Sequence, residues 1–418
     1  MFETFSWWLL LELIGLAAFP IAFRFFRNLP DRGYAFAKPL GLLLIAYPYW
    51  LLGTLGFLMN TRATALVVAL AIAITSWFVF GRKQKVNTAA RLVESELQIA
   101  SDLAPTAITL ETNAKPSRKK RVTRATIRKK RAEQSAAPEL LEPTITHYVL
   151  RNTSSPIEWL RKNKSLVLAT ELVFTVAFFA WAFFRAYNPE ITATEKPMEF
   201  AFLNGILQSD RFPPLDPWLS GFAISYYYFG YVIVALLTML IGVAASIAFN
   251  LAIALLFALS AVGAFGLAYN LIQISEFRLR NENSRNLQSA IRNSQFANFF
   301  FPLFAPIFLV VMGNLEGFFE TLHARGILPA SFWNWLDVKN LASASVSNSF
   351  VPSDYWWWWR ASRVIHDVVN GQTNEVIDEF PQFSFLLGDM HPHVLALPFV
   401  LLALAAALNL LRQKDFPN

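Results

Sequence analysis

The sequence predicts an all-α membrane protein with about eight transmembrane helices. Of its 418 residues, 55% are hydrophobic and 15% aromatic, and the mean hydropathy of +0.38 exceeds that of ordinary soluble domains. Several apolar runs reach the length of about 17 to 25 residues that a helix needs to cross a bilayer. The chain has no cysteine, which excludes disulfide bonds and cysteine metal sites.

The apolar runs divide the chain into three parts. Residues 1–81 contain three predicted helices, residues 82–164 form a polar segment, and residues 165–418 contain the other five. The first run lacks a basic start and a cleavage site of small residues, so we expect a retained helix and not a signal peptide. The predicted helices cover residues 5–23, 39–58, 63–81, 165–184, 226–246, 251–273, 297–313 and 393–411.

The polar segment carries the positive charge of the chain. Residues 82–164 contain eighteen Lys and Arg against eight Asp and Glu, and residues 115–131 contain ten basic residues and no acid. This composition is typical of a disordered loop, which the positive-inside rule places in the cytoplasm. The basic run is either a solvated topology signal or a surface that attracts anionic lipid. A nucleic-acid partner is not expected, because no aromatic residues are interleaved with the charges.

With the basic segment inside, residues 185–221 and 314–392 are predicted to form outward loops in a cell-membrane protein. One region conflicts with this topology. Residues 274–296 carry four Arg and two acids, which favours the inside, although two helices between 221 and 274 would leave them outside. Either one of those two helices is re-entrant, or the arginines are tolerated outside.

Candidate catalytic carboxylates lie in the first outward loop. Glu195 and Glu199 are four residues apart, so a helix over residues 195–208 places both on one face. Such a pair can hold a proton or a metal ion, but the same spacing also fits a polar face turned to water. The proline-rich stretch that follows cannot be helical, and it orients the residues after it. The candidate substrate-binding residues there are Asp216, Tyr226, Tyr227 and Tyr228.

A second polar cluster directly precedes the last predicted helix. Asp389, His391 and His393 lie within five residues, and Pro392 prevents a regular helix there. These side chains can converge on a phosphate or on a divalent cation such as Mg²⁺ or Mn²⁺, for which they are the predicted ligands. The alternative is a structural role in capping the last helix.

Two arginines form a third candidate group. Arg360 and Arg363 are three residues apart, and on a helix they would form a clamp for a phosphate of the substrate. They could equally pair with nearby acids, which is a common arrangement on protein surfaces. The acids in question are Asp354, Asp367 and Glu379.

Six motifs in the last part of the chain resemble those of the YYY-domain family of multi-pass membrane proteins from bacteria and archaea. The resemblance covers roughly residues 165–411. The motifs are Pro213-Pro-Leu-Asp-Pro-Trp218, Ser225-Tyr-Tyr-Tyr-Phe-Gly230, Gly313-Asn-Leu-Glu-Gly317, Trp358-Trp-Arg-Ala-Ser-Arg363, Glu379-Phe-Pro-Gln-Phe-Ser-Phe385 and Gly388-Asp-Met-His-Pro-His-Val-Leu-Ala-Leu397. Members of this family are generally longer, so we expect the chain to lack a C-terminal half or to pair with a further membrane subunit.

The architecture of that family is similar to the GT-C class of membrane glycosyltransferases, which use polyprenyl-phosphate-linked sugars. In that class an acidic residue in the first large outward loop precedes a Pro-Pro-Leu stretch, and Glu195 or Glu199 followed by Pro213-Pro-Leu215 matches this order. Two features depart from the class: the acidic pair is Glu-x-x-x-Glu, and three helices precede the loop where the class usually has one.

The resemblance implies a sugar transferase that acts on a lipid-linked donor at the outer membrane face. In this hypothesis Glu195 or Glu199 is the general base, while the arginines and a cation stabilise the departing phosphate. The alternative is a non-catalytic transporter or a scaffold subunit of an envelope complex, which would use the same carboxylates for passage of substrate or protons.

Overall fold

The structure, a computed structural model, describes residues 1–82, 155–281, 297–354 and 357–412. Two compact units divide the chain, one of residues 1–80 with 163–418 and one of residues 81–162. The prediction of a disordered cytoplasmic loop over 82–164 falls mostly on residues outside the described ranges, and the basic run 115–131 lies entirely outside them.

The regular structure is almost entirely helical. The helices up to residue 281 are α1 (Phe2–Phe25), α2 (Ala37–Thr54, after a 3₁₀ turn at Tyr34–Phe36), α3 (Arg62–Thr75, extended by a π turn at Ser76–Phe80), α4 (Pro156–Lys162), α5 (Lys164–Tyr187), α6 (Lys196–Gln208), α7 (Phe229–Ile241) and α8 (Ala245–Asn281). Of these, α4 belongs to the smaller unit and begins with a capping box between Ser155 and Glu158.

The second part of the chain is more broken. Residues 297–311 form α9, which consists of the pieces Ala297–Phe300, Phe301–Leu303, Phe304–Pro306 and Ile307–Val311. It is followed by α10 (Glu316–Ala324), α11 (Ala330–Leu336), a 3₁₀ helix (Trp357–Ser362), α12 (Pro381–Leu387) and α13 (Pro392–Leu411). A small antiparallel hairpin of β1 (His366–Val369) and β2 (Gln372–Glu375) interrupts this series.

Six helices among the described residues are long and apolar enough to cross a membrane, which confirms the all-α polytopic class. They are α1, α2 with its 3₁₀ turn, α3 with its π turn, α5, α8 as far as Ser275, and α13. The pair α9 and α10 is bent by 72° and makes a seventh if it is counted as one broken span. The count is thus six or seven, in place of the eight predicted.

The ends of the spans form two groups, one at each end of the helix bundle. We call them the Asn409 end and the Glu199 end. At the Asn409 end, Asn28 beyond α1 donates two hydrogen bonds to Asn409 near the end of α13, and Arg24 Nε donates to Phe80 O at the end of α3. At the Glu199 end, Arg185 near the end of α5 contacts Asn250 near the start of α8.

Helix α7 is the apolar run that does not cross. It has 13 residues, about 20 Å of helix, which is shorter than a bilayer core of about 30 Å. Gly242 ends it with a positive φ of 84°. Both of its ends touch the Glu199 end of the bundle, because Tyr231 Oη donates to Met390 O and Arg62 Nη2 donates to Leu240 O. It is therefore a short buried helix whose two ends lie at the same end of the bundle.

This placement favours a re-entrant helix, one of the two alternatives that the predicted topology left open. Between residues 221 and 281, α8 is the candidate span, and it runs from the Glu199 end to the Asn409 end. Asn270 in α8 accepts a hydrogen bond from Asp31 N, next to Asn28. The described end of α8, which carries the first two arginines of the region 274–296, thus lies at the same end of the bundle as the end of α3.

Candidate functional site

A cluster of acids and histidines lies at the Glu199 end, where the start of α6 meets the loop between α12 and α13. Aromatic packing fixes this loop to the spans. Trp181 of α5 stacks on Phe257 of α8 at 4.1 Å between ring centroids, and both rings contact Phe385 of α12. The loop that follows Phe385 is thereby held against the ends of two membrane helices.

Helix α6 presents its two glutamates to this loop, as the spacing of four residues predicted. Glu195 is the N-cap residue of α6 and Glu199 lies one turn further along. Glu199 Oε2 accepts a hydrogen bond of 2.7 Å from Met390 N, and Glu195 Oε2 pairs with His391 Nε2. The side chain of Glu195 is about half exposed, whereas Glu199 is 0% exposed. A polar helix face turned to water therefore does not describe Glu199.

A tight turn at Gly388 places Asp389 beside Glu199. Gly388 has φ of 72° and ends α12 by donating its N–H to Ser384 O. A Cβ at this glycine would lie 2.7 Å from Arg185 Cζ, so glycine lets the guanidinium pack against the turn. Asp389 is 1% exposed. Its Oδ1 atom and the Oε1 atom of Glu199 are buried and have no hydrogen-bond partner.

Burial opposes the ionisation of both carboxyl groups. Burial, together with the negative charge of Asp389, raises the pKa of Glu199 to about 8, although the Met390 amide and His391 act in the other direction. Burial also raises the pKa of Asp389 to about 6. For His391, burial lowers the pKa, but the hydrogen bond that the ring donates to Glu195 and the negative charges of Asp389 and the two glutamates outweigh it, so the net shift is upward.

Glu379 joins the cluster from the other side. Its Oε2 atom lies 3.1 Å from His393 Nε2 and 4.0 Å from His391 Nδ1. Ser384 Oγ lies 3.2 Å from the same His393 nitrogen and 3.4 Å from Glu379 Oε2. The hydrogen bond with His393 is the main reason that the pKa of Glu379 is lowered. The sequence motif that contains Glu379 was recognised, but its role beside the histidines was not.

Two overlapping triads in this cluster can hold a metal ion. One consists of Glu199, Asp389 and His391, and the other of Glu379, His391 and His393, with the potential ligand atoms of each within 4.8 Å of one another. Carboxylate oxygens with one imidazole suit Mn²⁺ or Zn²⁺, and carboxylates alone suit Mg²⁺. The first triad is the better candidate, because the unpaired oxygens of Glu199 and Asp389 are buried within it.

Two cations lie beside the first triad. Arg185 is 2% exposed and Lys196 is 7% exposed. Lys196 Nζ donates to Leu387 O at 3.2 Å, directly before Gly388. Burial and then the positive charge of Arg185 lower the pKa of Lys196, while Asp389 and Glu199 act in the other direction. Neither residue was predicted, since nothing in their local sequence links them.

The predicted clamp of Arg360 and Arg363 lies in a different environment. Arg360 follows three tryptophans in a 3₁₀ helix, and its guanidinium is bound by Glu320 at 2.7 and 3.0 Å and by Asp354 at 2.7 Å. Arg363 bonds to Ser362 and packs over the ring of Trp359 at 4.6 Å. In the described part of the chain, no contact joins either arginine to the histidine cluster. Of the predicted acid partners, Asp354 is the one that pairs.

The predicted substrate-binding residues in and after the proline-rich stretch also differ in their surroundings. Asp216 accepts hydrogen bonds from the N–H groups of Trp218 and Leu219, so it shapes its own loop. Tyr228 Oη accepts a hydrogen bond from Trp50 Nε1, and Tyr227 is exposed. Of the three tyrosines, Tyr226 is the one whose pKa is raised, by burial and then by the negative charges of Glu195 and Glu199.

Most of the chain also matches a model of a known protein family. Residues 141–417 match the family described as uncharacterized membrane protein, DUF2298. The chain belongs to this family. The matched region contains the entire cluster and both cations, and leaves out α1 to α3. No curated protein and no solved structure matches the chain.

Proposed function

We propose that this DUF2298 protein transfers a sugar from a polyprenyl-phosphate donor to an acceptor hydroxyl at the membrane surface, in the manner of the GT-C class. One observation carries the proposal. Glu195 and Glu199 meet Asp389 and His391, some 190 residues further along the chain, and two of the buried carboxylate oxygens there lack a partner. Such an arrangement is costly unless a ligand completes it.

Glu199, Asp389 and His391 would hold a divalent cation such as Mn²⁺ or Mg²⁺. The unpaired oxygens of the two acids fit a ligand of positive charge, and a bound cation would allow both carboxyl groups to ionise. When bound, it would stabilise negative charge that develops on a phosphate oxygen.

Glu195 is the residue we assign as general base. It is half exposed at the rim of the cluster, where an acceptor hydroxyl can reach it, and its hydrogen bond with His391 fixes its direction. In the transfer, the acceptor oxygen forms a bond to the anomeric carbon while the bond from that carbon to the phosphate oxygen breaks. The electron pair leaves with the phosphate, and the acceptor proton passes to Glu195.

Tyr226 is placed to contact the sugar or the acceptor. Its ring packs on Phe202 at 5.5 Å between centroids and lies beside both glutamates. Trp218 and Tyr227 nearby are almost fully exposed, which suits residues that lie among lipid headgroups.

The proposal is tested by a transfer assay on the purified full-length protein with polyprenyl-phosphate sugars and Mn²⁺ or Mg²⁺. Removal of a general base should lower turnover by about 100-fold or more in Glu195→Gln. The matched control is Asp210→Asn, an exposed acid-to-amide change just after α6, which should leave turnover within a factor of two. Equal turnover in the wild type and Glu195→Gln would contradict the role of Glu195. If none of the tested donors supports any transfer, the proposed function is wrong.

We further propose that the Glu199 end faces outward in the cell membrane and the Asn409 end faces the cytoplasm. The chain has no cysteine, so single introduced cysteines can be labelled without background. A membrane-impermeant maleimide should label Ser220→Cys in intact cells and label Lys164→Cys only after lysis. The reverse pattern would contradict this orientation.

A further inference from the structure

Arg185 and Lys196 are buried cations without a carboxylate partner. Arg185 Nε and Nη2 share a single acceptor, Asn250 Oδ1, at 3.1 and 2.8 Å. The Nη1 atom lies against Gly388, and Lys196 Nζ is bound to one carbonyl oxygen, that of Leu387. Across the described residues, no Asp or Glu comes within ion-pair distance of either cation.

This lack of pairing is unusual for buried charges. A buried cation is costly unless it is paired, and the guanidinium of arginine has five donors to satisfy. The nearest acids, Glu199 and Asp389, influence Lys196 through space but are directed elsewhere, Glu199 towards the Met390 amide. Two positive groups thus adjoin two negative groups without direct contact between them.

A metal-bound phosphate would complete both halves of this arrangement. Its oxygens are strong acceptors for guanidinium and ammonium donors, and its cation would satisfy the free oxygens of Glu199 and Asp389. Arg360 offers no equivalent site, since Glu320 and Asp354 already occupy its guanidinium.

We infer that Arg185 and Lys196 form the phosphate-binding site of this protein and receive the phosphate of the lipid-linked donor. The identity of the donor rests on the proposed function, whereas the binding of a phosphate does not. During transfer, the two side chains neutralise the charge that arrives on the phosphate with the electron pair of the broken bond. The glycine at 388 is required so that the Arg185 guanidinium can lie at this position.

Binding is measured without any sugar, so that the result does not depend on transfer. The full-length protein in detergent is titrated with decaprenyl phosphate in mixed micelles, and separately with inorganic phosphate in solution, both with Mn²⁺ present. Lys196→Gln and Arg185→Gln should each weaken binding about 10- to 100-fold, the loss expected for hydrogen bonds to a charged group. Lys196→Arg should retain most of the affinity.

Gly388→Ala tests position and not charge. Its Cβ would displace the Arg185 guanidinium, and alanine is strained at a φ of 72°, so phosphate binding should weaken although both cations remain. The matched control is Arg211→Gln, which removes an exposed cation from the same end of the bundle and should leave affinity within a factor of two. Thermal melting of each variant reports whether it is folded.

The outcomes separate this inference from the function. If binding of decaprenyl phosphate depends on Lys196, the phosphate at this site comes from a lipid. If only the binding of inorganic phosphate depends on Lys196, the phosphate comes from a soluble molecule. Unchanged affinity in folded Lys196→Gln and Gly388→Ala would overturn the site, even if sugar transfer is observed. Lys196-dependent binding without sugar transfer would leave the phosphate site standing and refute the transferase.

Discussion

Two clusters of buried charge lie at opposite ends of the bundle and differ in how they are satisfied. At the Asn409 side, Lys38 of α2 contacts Glu12 of α1 at 3.1 Å and also Glu171 of α5, and Tyr34 Oη donates to Glu171 at 2.6 Å. We call this the Lys38 cluster. At the Glu199 end, Glu199 and Asp389 adjoin Arg185 and Lys196 without an ion pair between them.

The difference separates a structural role from a binding role. Opposite charges in the Lys38 cluster touch directly and join three membrane helices, so the cluster needs no ligand. One atom, Glu12 Oε1, is left without a partner there. The acids at the Glu199 end lie close to each other, and the cations are held by neutral groups, so we expect a ligand to supply the missing charges there. Charged residues within membrane spans, such as those of the Lys38 cluster, can therefore be structural and need not mark a path for the transport of substrate or protons.

The largest expected effect is on stability, at the Lys38 cluster. Lys38→Met leaves two partly buried carboxylates without their buried cation, which should lower the free energy of unfolding by about 3 kcal/mol. Thermal melting in detergent measures the loss. The double variant Lys38→Met with Glu171→Gln should recover part of it, since one unpaired charge is removed. An unchanged melting temperature in Lys38→Met would show that the cluster does not hold the helices together.

The second prediction concerns ligands at the Glu199 end. A saturating divalent cation should stabilise the protein, by about 2.7 kcal/mol at a concentration 100 times the dissociation constant. Melting with Mn²⁺ and then with excess chelator measures this gain. Asp389→Asn should abolish it, while Asp337→Asn, which changes an exposed acid beyond α11, should not. Stabilisation that persists in Asp389→Asn would place the cation elsewhere.

Residue spacing indicated which acids and histidines lie together more closely than apolar length indicated which runs form long helices. The spacing of Glu195 and Glu199 indicated one helix face, and the Asp-x-His-x-His pattern marked the second half of the cluster. The run 226–246 was long enough to span, yet it gave a 13-residue helix. Gly242 ends that helix early, and the first residues of the run lie in a loop before the helix. A count of apolar residues detects neither feature. The excess of arginine in 274–296 was the sequence signal that one of the two runs is not a simple crossing.

The cations of the site could not be found from spacing. Arg185 and Lys196 are eleven residues apart, at the end of one helix and the start of another, and both side chains reach the same turn at Leu387 and Gly388. Arg360 had the more suggestive local pattern. Its partner Glu320 lies 40 residues away in α10, so sequence proximity alone favoured the wrong environment.

A smaller effect of opposite sign is expected at Glu199. Because burial and Asp389 raise its pKa to about 8, glutamine imitates the protonated form and can still accept the hydrogen bond from Met390 N. Glu199→Gln should therefore stabilise the cation-free protein at pH 9 by about 1 to 2 kcal/mol. It should also remove the response to Mn²⁺. A lower melting temperature without cation would show that the charge of Glu199 is already compensated in the free protein.

The smallest predicted effect returns to the Lys38 cluster and tests whether it is independent of binding. Tyr34→Phe removes one hydrogen bond to Glu171 while Lys38 still neutralises that carboxylate, so the free energy of unfolding should fall by only about 1 kcal/mol. The increment in melting temperature that Mn²⁺ adds should equal that of the wild type, because the change lies at the opposite end of the spans. Thermal melting with and without Mn²⁺ gives both quantities from one sample. A reduced Mn²⁺ increment in Tyr34→Phe would mean that the two clusters are coupled through the helices, and the separation of structural from binding charge would then fail.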